Sequence, residues 1–291
     1  MTDIRPRRSV LYMPGSNARA LEKAREIPAD ALILDLEDAV APEAKANARD
    51  QVCAAVKTGG YGRRELVIRT NGVDTPWFEA DLAAAAEARP DAILIPKVQN
   101  PETLKRIGQK LDGLWADPKT RIWAMIETPL AILHCEAIAA AAHDPQTRLA
   151  CFVMGTNDLA KETRARFLPG RAPMLPWLTI AILAARAHGL DIVDGVYNDI
   201  RDEEGYAAEC AQGRDLGFDG KSLIHPSQVD GANAVFAPDE AELARAQAII
   251  AAFSRPENAD KGAIQLDGRM VERLHADMAA RIVALAQAIA A

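Results

Sequence analysis

Residues 121–129 read RIWAMIETP, an apolar run with the composition of a strand that ends in the carboxylate of Glu127. A second apolar run, 151–154, lies in the stretch CFVMGTNDL and is followed by Asp158. Both runs are typical of buried parallel strands. Because all strands of a parallel α/β fold end at one face, Glu127 and Asp158 are expected to converge there.

Similar runs recur along the chain and alternate with alanine-rich stretches of helical period, which is the pattern of repeated βα units. Candidate strands lie at 9–13, 31–36, 66–70, 92–96, 121–126, 151–154, 191–193 and 221–224. Candidate helices between them lie at 18–27, 43–57, 78–88, 101–111, 130–142, 176–188 and 203–216. Eight strands with intervening helices predict a (β/α)₈ TIM barrel. A doubly wound open sheet is the alternative, but no GxGxxG motif follows the first strand.

The C-terminal part of the chain continues beyond the eight predicted βα units of the barrel. A helical pattern over 238–253 is followed by a polar break, residues 254–258. The pattern predicts a catalytic barrel over residues 1–253 and a separate C-terminal segment over residues 254–291. A long amphipathic helix is expected at 269–289. This segment is a candidate helical lid or subunit-exchange element, and an ordinary surface helix is an equally good interpretation.

Composition limits the functional classes. The chain has 291 residues and a formal net charge of −7, which argues against a general nucleic-acid binder. The four cysteines are far apart and form no CxxC pair, which is typical of reduced cytosolic thiols. No apolar run approaches the length of a membrane span, and the apolar stretch that follows the basic start ends at Pro14-Gly15, too short for a signal peptide. We expect a cytoplasmic protein with no nucleic-acid or membrane partner.

Glu127 and Asp158 predict a metal site. Two oxygen ligands with no sulfur and no clustered imidazole suit a hard divalent cation, usually Mg²⁺, completed by water and substrate oxygens. The alternative is that one is a solvated loop acid and the other a helix N-cap.

Other strand ends deliver further polar side chains to the same rim. They are Glu37 and Asp38 after the second strand, Arg69 at the third, Lys97 after the fourth and His225 after the eighth. The acids suit a metal, and the two cations suit an anionic substrate. Arg69 is equally well explained by an ion pair with Glu37 or Asp38, Lys97 by an ordinary surface position, and His225 by shaping of the rim.

In these segments the chain resembles the citrate lyase β-subunit-like family, the HpcH/HpaI aldolase/citrate lyase group. The motifs that carry the resemblance are, in chain order, SVLYMPG (9–15), ILDLEDAV (33–40), RTN (69–71), IPKV (95–98), MIET (125–128), GVY (195–197) and GKSLIHP (220–226). They cover nearly the whole chain in family order. The resemblance implies a barrel with a C-terminal lid in a homo-oligomer, a trimer or hexamer, with lid exchange between subunits.

The resemblance also implies roles for individual residues. Glu127 and Asp158 would bind Mg²⁺, for which Mn²⁺ is a possible substitute, with Glu37, Asp38 and Lys97 around them. Arg69 would hold a substrate carboxylate. Tyr12, Arg19 and Lys23 match positions that contact coenzyme A, and His225 belongs to the substrate-binding set. From spacing alone, Arg19 and Lys23 are an i, i+4 pair that offers two cations on one helix face.

The lid motif departs from the family pattern. Residues 267–275 read DGRMVERLH, so Glu272 stands where lyases of the family carry an aspartate. This form resembles the malyl-CoA thioesterase branch and implies hydrolysis of a CoA thioester, (3S)-malyl-CoA, with Glu272 as the general base. The alternatives are a malyl-, citramalyl- or citryl-CoA carbon–carbon lyase, a metal-dependent pyruvate aldolase, and a degenerate barrel kept as an assembly subunit.

Overall fold

The structure, a computed structural model, describes residues 4–258 and 260–291. The strands of its main sheet are β1 Ser9–Pro14, β2 Ala31–Asp35, β3 Glu65–Arg69, β4 Ala92–Ile95, β5 Arg121–Ile126, β6 Leu149–Met154, β7 Asp191–Asp194 and β8 Gly220–Leu223. All eight are parallel and pair in chain order, and β8 pairs back with β1 to close the barrel. The predicted (β/α)₈ barrel is confirmed, and each predicted strand lies within two residues of its expected bounds.

The helices are α1 Ala18–Lys23, α2 Lys45–Thr58, α3 Phe78–Ala88, α4 Pro101–Gly113, α5 Pro129–Leu133, α6 Cys135–Ala140, α7 Thr156–Thr163, α8 Leu175–Ala187, α9 Glu203–Leu216, α10 Val229–Val235, α11 Glu240–Phe253 and α12 Arg273–Ala290. Several begin at a capping side chain, such as Asn100 before α4 and Thr128 before α5. The single predicted helix over 130–142 is wrong. It breaks at His134, which leaves helical geometry and whose Nδ1 lies 2.9 Å from the Gln99 carbonyl oxygen.

The amino-terminal end of the barrel is closed by a buried ion-pair cluster. Arg7 donates two hydrogen bonds of 2.8 Å to Glu65, pairs with Asp191, and stacks 5.0 Å from the centre of the Trp123 ring. Above this cluster the barrel interior is filled by apolar side chains, Trp123 among them. The interior of the barrel is therefore open to ligands from the carboxyl ends of the strands, where barrels of this type carry their active sites.

The described residues divide into two compact units, Arg7–Asn233 and a smaller one made of residues 4–6, 234–258 and 260–291. The barrel strands all lie in the larger unit. The predicted catalytic barrel over residues 1–253 and the predicted C-terminal lid over residues 254–291 stay predictions, and residues 1–3 and 259 of these ranges lie outside the described part of the chain.

The smaller unit packs α11 and α12 around Ile249, Phe253 and Val271. The predicted helix over 269–289 is wrong at its start, because Arg269–Glu272 is a strand that pairs antiparallel with Ala263–Leu266. The two-residue turn between these strands is Asp267-Gly268, with φ of 49° and 76°. Asp-Gly is a preferred sequence for such a hairpin turn, so the local signal was present but was outweighed by the amphipathic pattern.

No helix within residues 4–258 or 260–291 combines the length and the apolar composition required to cross a bilayer.

One glycine in α4 is required by packing. A Cβ on Gly108 would lie 1.8 Å from the Gln146 carbonyl oxygen, in the 3-10 turn against which α4 packs. We expect Gly108→Ala to lower the free energy of unfolding by about 1–3 kcal/mol, measured by urea denaturation. Gly113→Ala is the matched control at the end of the same helix, where a Cβ meets nothing within 4 Å, and it should be neutral or slightly stabilising. Equal effects of the two substitutions would contradict this packing argument.

Candidate active site

A cavity of about 330 Å³ opens at the carboxyl ends of the strands. Tyr12, Asp38, Arg69, Glu127 and Asp158 all line it. These residues belong to β1, β3 and the segments that follow β2, β5 and β6, so the parallel barrel brings them to one rim.

Arg69 is the buried centre of the cavity wall, with 6% of its surface exposed. Its Nε and Nη2 atoms each donate to a carboxylate oxygen of Asp35 at 2.6 Å, a bidentate pair between register partners on β2 and β3. Burial alone would lower the Arg69 pKa, but the charge and hydrogen bonds of Asp35 together with Tyr12 and the charge of Glu37 outweigh it and raise this pKa well above its usual value. The guanidinium is therefore fixed in place and permanently charged.

The third nitrogen of Arg69 faces two further acids. Nη1 lies 2.9 Å from Glu37 Oε2 and 3.3 Å from Asp38 Oδ2. The Asp38 side chain is 68% exposed, and the exposed Lys97 ammonium lies 3.8 Å from Glu37. A substrate carboxylate that approached Arg69 would thus meet Nη1 and displace Asp38, the more loosely held partner.

Glu127 is held rigidly although it is almost fully buried. Its Oε1 accepts a hydrogen bond of 2.7 Å from the backbone N–H of Lys97, whose positive φ of 53° turns that N–H toward it. Gly155 lies directly behind it, and a Cβ there would come within 2.3 Å of Glu127 Cβ and 2.5 Å of Oε2. The close approach of β5 and the segment after β6 therefore requires glycine at this position.

Asp158 lies in the first turn of α7 and is half-buried. The neighbouring Asn157 forms a reciprocal amide pair with Asn198, at 3.1 and 2.8 Å, which ties the start of α7 to the segment after β7. Asp158 is thus presented to the cavity by an anchored helix start.

Burial and mutual repulsion shift the carboxyl groups of the cavity. The pKa of Glu127 is raised to about 8, first by burial and then by the charges of Glu37 and Asp158. The pKa of Glu37 is raised to about 7, mainly by burial, and the charge of Arg69 limits that rise. Both acids are thus destabilised as anions in the absence of a further cation.

The donor set fits a divalent cation. Five carboxyl groups (Asp35, Glu37, Asp38, Glu127 and Asp158) surround three basic groups (Lys45, Arg69 and Lys97). Glu127 and Asp158 both line the cavity, and the charges of Glu37 and Asp158 both act on Glu127. Within the described residues no group of three or more His, Cys, Asp or Glu side chains is placed to hold a metal ion, so protein ligands would number at most two. Two oxygen ligands with open positions suit Mg²⁺, which keeps waters and takes substrate oxygens.

Tyr12 forms the floor beside Arg69. The Arg69 guanidinium lies 4.9 Å from the centre of the Tyr12 ring, and the Tyr12 hydroxyl lies 3.9 Å from Met125 Sδ. Burial raises the Tyr12 pKa above its usual value, so the hydroxyl remains neutral.

Other predicted site residues do not line this cavity. Arg19 and Lys23 are exposed on α1, and their side chains have no hydrogen-bond or ion-pair partner among the described residues. His225 is exposed after β8, with Nδ1 2.8 Å from the Ser227 hydroxyl.

Glu272 belongs to the smaller unit. It is the residue before α12, and its backbone N–H donates to His275 Nδ1 at 3.0 Å.

Two buried arrangements were not predicted from the sequence. Asp35 lies in the ILDLEDAV motif and was given no role of its own, yet it is the main partner of Arg69. Lys221 is fully buried and donates to Asp194 at 3.1 Å and to Glu209 at 2.8 Å, while Arg171 donates to both Asp194 oxygens at 2.8 Å. A charged residue inside an apolar strand was the available signal in both cases.

Comparisons with known proteins agree with this geometry. A family model described as HpcH/HpaI aldolase/citrate lyase matches residues 8–226. A curated (3S)-malyl-CoA thioesterase of Cereibacter sphaeroides is 52% identical over 286 residues, which cover 98% of this chain and 96% of that protein. An L-malyl-CoA/beta-methylmalyl-CoA lyase of the same species is 35% identical over 311 residues, covering 99% and 96%.

Among solved structures, the CitE protein of Mycobacterium tuberculosis in complex with magnesium, acetoacetate and coenzyme A has a TM-score of 0.77. It is 26% identical in sequence, and the match covers 97% of this chain and 98% of that one.

The raised pKa of Glu127 predicts a pH dependence of stability in protein freed of divalent ions. The folded state binds the proton of the Glu127 carboxyl group more tightly than the unfolded chain does, because the pKa of this group in the unfolded chain is the ordinary 4.5. The stabilisation is therefore complete below about 4.5 and is lost as pH rises through about 8. Urea denaturation with EDTA should show the free energy of unfolding falling across this range, and Glu127→Gln should flatten the fall. The exposed Glu162→Gln is the control, and parallel curves for Glu127→Gln and wild type would contradict the assignment.

Proposed function

The chain belongs to the HpcH/HpaI aldolase/citrate lyase family, and we propose that it is a Mg²⁺-dependent enzyme that hydrolyses (3S)-malyl-CoA to malate and coenzyme A. The observation that carries the proposal is one cavity in which a fixed guanidinium faces a surplus of carboxylates. A malyl group presents both a carboxylate and a hydroxyl, which suits a cation and an arginine side by side. The 52% identity to a protein named (3S)-malyl-CoA thioesterase supports this substrate over others.

In this proposal, Glu127 and Asp158 hold Mg²⁺, and Mn²⁺ serves as a substitute. When bound, the ion neutralises and orients the carboxylate and hydroxyl oxygens of the malyl group. Glu37, Asp38 and Lys97 surround these ligands, and Glu37 contacts both Arg69 and Lys97.

Arg69 binds the malyl carboxylate through Nη1, since Asp35 occupies Nε and Nη2. Because that pair is buried, the guanidinium does not rotate toward the ligand but presents one fixed donor. Preorganisation of this kind lowers the cost of ordering the substrate.

The CoA moiety is proposed to leave the cavity past Tyr12 and along α1. Arg19 and Lys23 are exposed cations one helical turn apart, with no side-chain partner within residues 4–258 and 260–291, which suits contact with phosphate groups. His225, exposed at the end of β8, is proposed to contact the substrate at the same rim.

Glu272 is proposed as the general base, supplied by the C-terminal lid of a neighbouring subunit in a homotrimer or homohexamer. Its carboxylate would take a proton from water while the water oxygen attacks the thioester carbonyl. The C–S bond then breaks, and the CoA sulfur leaves as the thiolate and takes up a proton. The four cysteines are buried free thiols, which accords with the cytoplasmic location we propose.

Carbon–carbon cleavage is the second candidate. The 35% identical relative named as a lyase has nearly the full length of this chain in common, and the cavity would serve both reactions. Which of the two reactions occurs would then depend on the lid carboxylate, which in a lyase protonates the departing acetyl-CoA enolate. Glu272 is about one methylene longer than aspartate, so its carboxylate would stand at a different distance from the acetyl methyl carbon and act on a water instead, which favours hydrolysis.

Product analysis with Glu272 variants tests this proposal. With malyl-CoA and Mg²⁺, wild type should release malate and free CoA thiol in equal amounts. Glu272→Ala should lose at least ~10²-fold in kcat, the usual scale for a general base, while Asp277→Ala on the same helix should not. Glu272→Asp should shift the products toward glyoxylate and acetyl-CoA. Stoichiometric glyoxylate and acetyl-CoA from wild type would instead establish the lyase.

The proposed phosphate contacts predict a substrate-specific effect. Arg19→Ala should raise KM for malyl-CoA ~10-fold, through loss of one charge-assisted contact, and leave KM for a malyl-pantetheine thioester nearly unchanged. Arg106→Ala, an exposed arginine on α4, is the matched control. A similar rise in KM for both thioesters would contradict a phosphate contact.

A further inference from the structure

Two histidines meet on the barrel at the end opposite the cavity. His143 ends a 3-10 turn before β6, and His188 follows α8 before β7. Nε2 of His143 lies 2.9 Å from Nδ1 of His188, and the ring planes meet at 70°. Two ring nitrogens from segments 45 positions apart thus share one proton.

A carboxylate fixes the orientation of this pair. Glu136, in the first turn of α6, lies with Oε1 3.2 Å from His188 Nε2. An acid acceptor there places the His188 proton on Nε2, which leaves Nδ1 with a free lone pair toward His143. A carboxylate that holds one ring nitrogen while the other is turned outward is the arrangement that orients histidine ligands in metal sites.

The spacing of the two nitrogens suits chelation. Metal–nitrogen bonds to Zn²⁺ are about 2.0–2.1 Å, so two ligands at roughly 90–110° from one ion stand about 3 Å apart. The observed separation is 2.9 Å. For an ion to replace the shared proton, the lone pair of each ring nitrogen would turn by roughly 35–45° from the line between them, by rotation of the two side chains, to converge on one ion. His143 is exposed and the His188 side chain is 15% exposed, which leaves room for the ion and its waters.

We propose that His143 and His188, oriented by Glu136, bind a late first-row divalent ion such as Zn²⁺, with water completing its coordination. Imidazole ligands favour Zn²⁺, Cu²⁺ and Ni²⁺ over Mg²⁺, so this site is chemically distinct from the carboxylate cavity. With two protein ligands it binds more weakly than a closed four-ligand zinc site. The ion joins the segments before β6 and β7, and since the unfolded chain does not hold the two rings together, it stabilises the fold by mass action.

The test uses full-length protein without a polyhistidine tag, stripped of metals and then placed in excess Mg²⁺ to occupy the carboxylate cavity. Calorimetric titration with Zn²⁺ should give one site, and saturating Zn²⁺ should raise the Tm by about 2 °C or more. His143→Ala and His188→Ala should each weaken binding at least ~10-fold, and Glu136→Gln ~10-fold. His134→Ala, an exposed histidine paired with a backbone carbonyl, should bind as wild type does.

Electron paramagnetic resonance with Cu²⁺ provides an independent readout. Wild type should show hyperfine coupling to two imidazole nitrogens, and each single variant at His143 or His188 should show one or none. Zn²⁺ affinity that is the same in the His134, His143 and His188 variants would overturn the proposal, as would a wild-type Cu²⁺ spectrum without two coupled nitrogens.

Discussion

The buried ion pair between Arg69 and Asp35 is the interaction on which the rest of the cavity depends. The two residues face each other in the register of β2 and β3, and both are almost completely excluded from water. Removal of either partner would leave an uncompensated charge inside the barrel, which is among the more costly changes a core can suffer. Because the pair uses two of the three guanidinium nitrogens, only Nη1 remains for the acids and ligands of the rim.

The acids around this pair are held in an arrangement that is unfavourable without a further cation. Glu127 is buried beside other carboxylates, and its position requires a positive φ at Lys97 and a glycine at 155. Backbone strain and buried charge of this kind persist where the surrounding fold enforces them, and they concentrate at ligand sites. A divalent ion would convert the repulsion between Glu127 and Asp158 into attraction to a common centre. The arrangement of the carboxylates in the metal-free protein therefore already favours the binding of a divalent cation.

The barrel and the position of its rim were predictable from the sequence, because buried parallel strands appear as short apolar runs. The eight apolar runs located the strands, and their common direction located Glu127 and Asp158 at one rim. The pairing of Arg69 with Asp35 was not predictable, because it depends on the register between β2 and β3, which spacing does not reveal. The Asp267-Gly268 hairpin was overlooked because amphipathic period outweighed turn chemistry. The role of Glu272 stays a prediction, since it depends on an assembly of several chains.

Direct measurement of Mg²⁺ binding tests the central claim, that the surplus of carboxylates forms a cation site. Calorimetric titration of metal-free protein should give one site for wild type. Glu127→Gln and Asp158→Asn, which keep size and remove charge, should each weaken Mg²⁺ binding at least ~10-fold, the free-energy equivalent of one charged ligand contact. Glu22→Gln, an exposed acid on α1, controls for net charge. Unchanged Mg²⁺ affinity in both cavity variants would contradict the account.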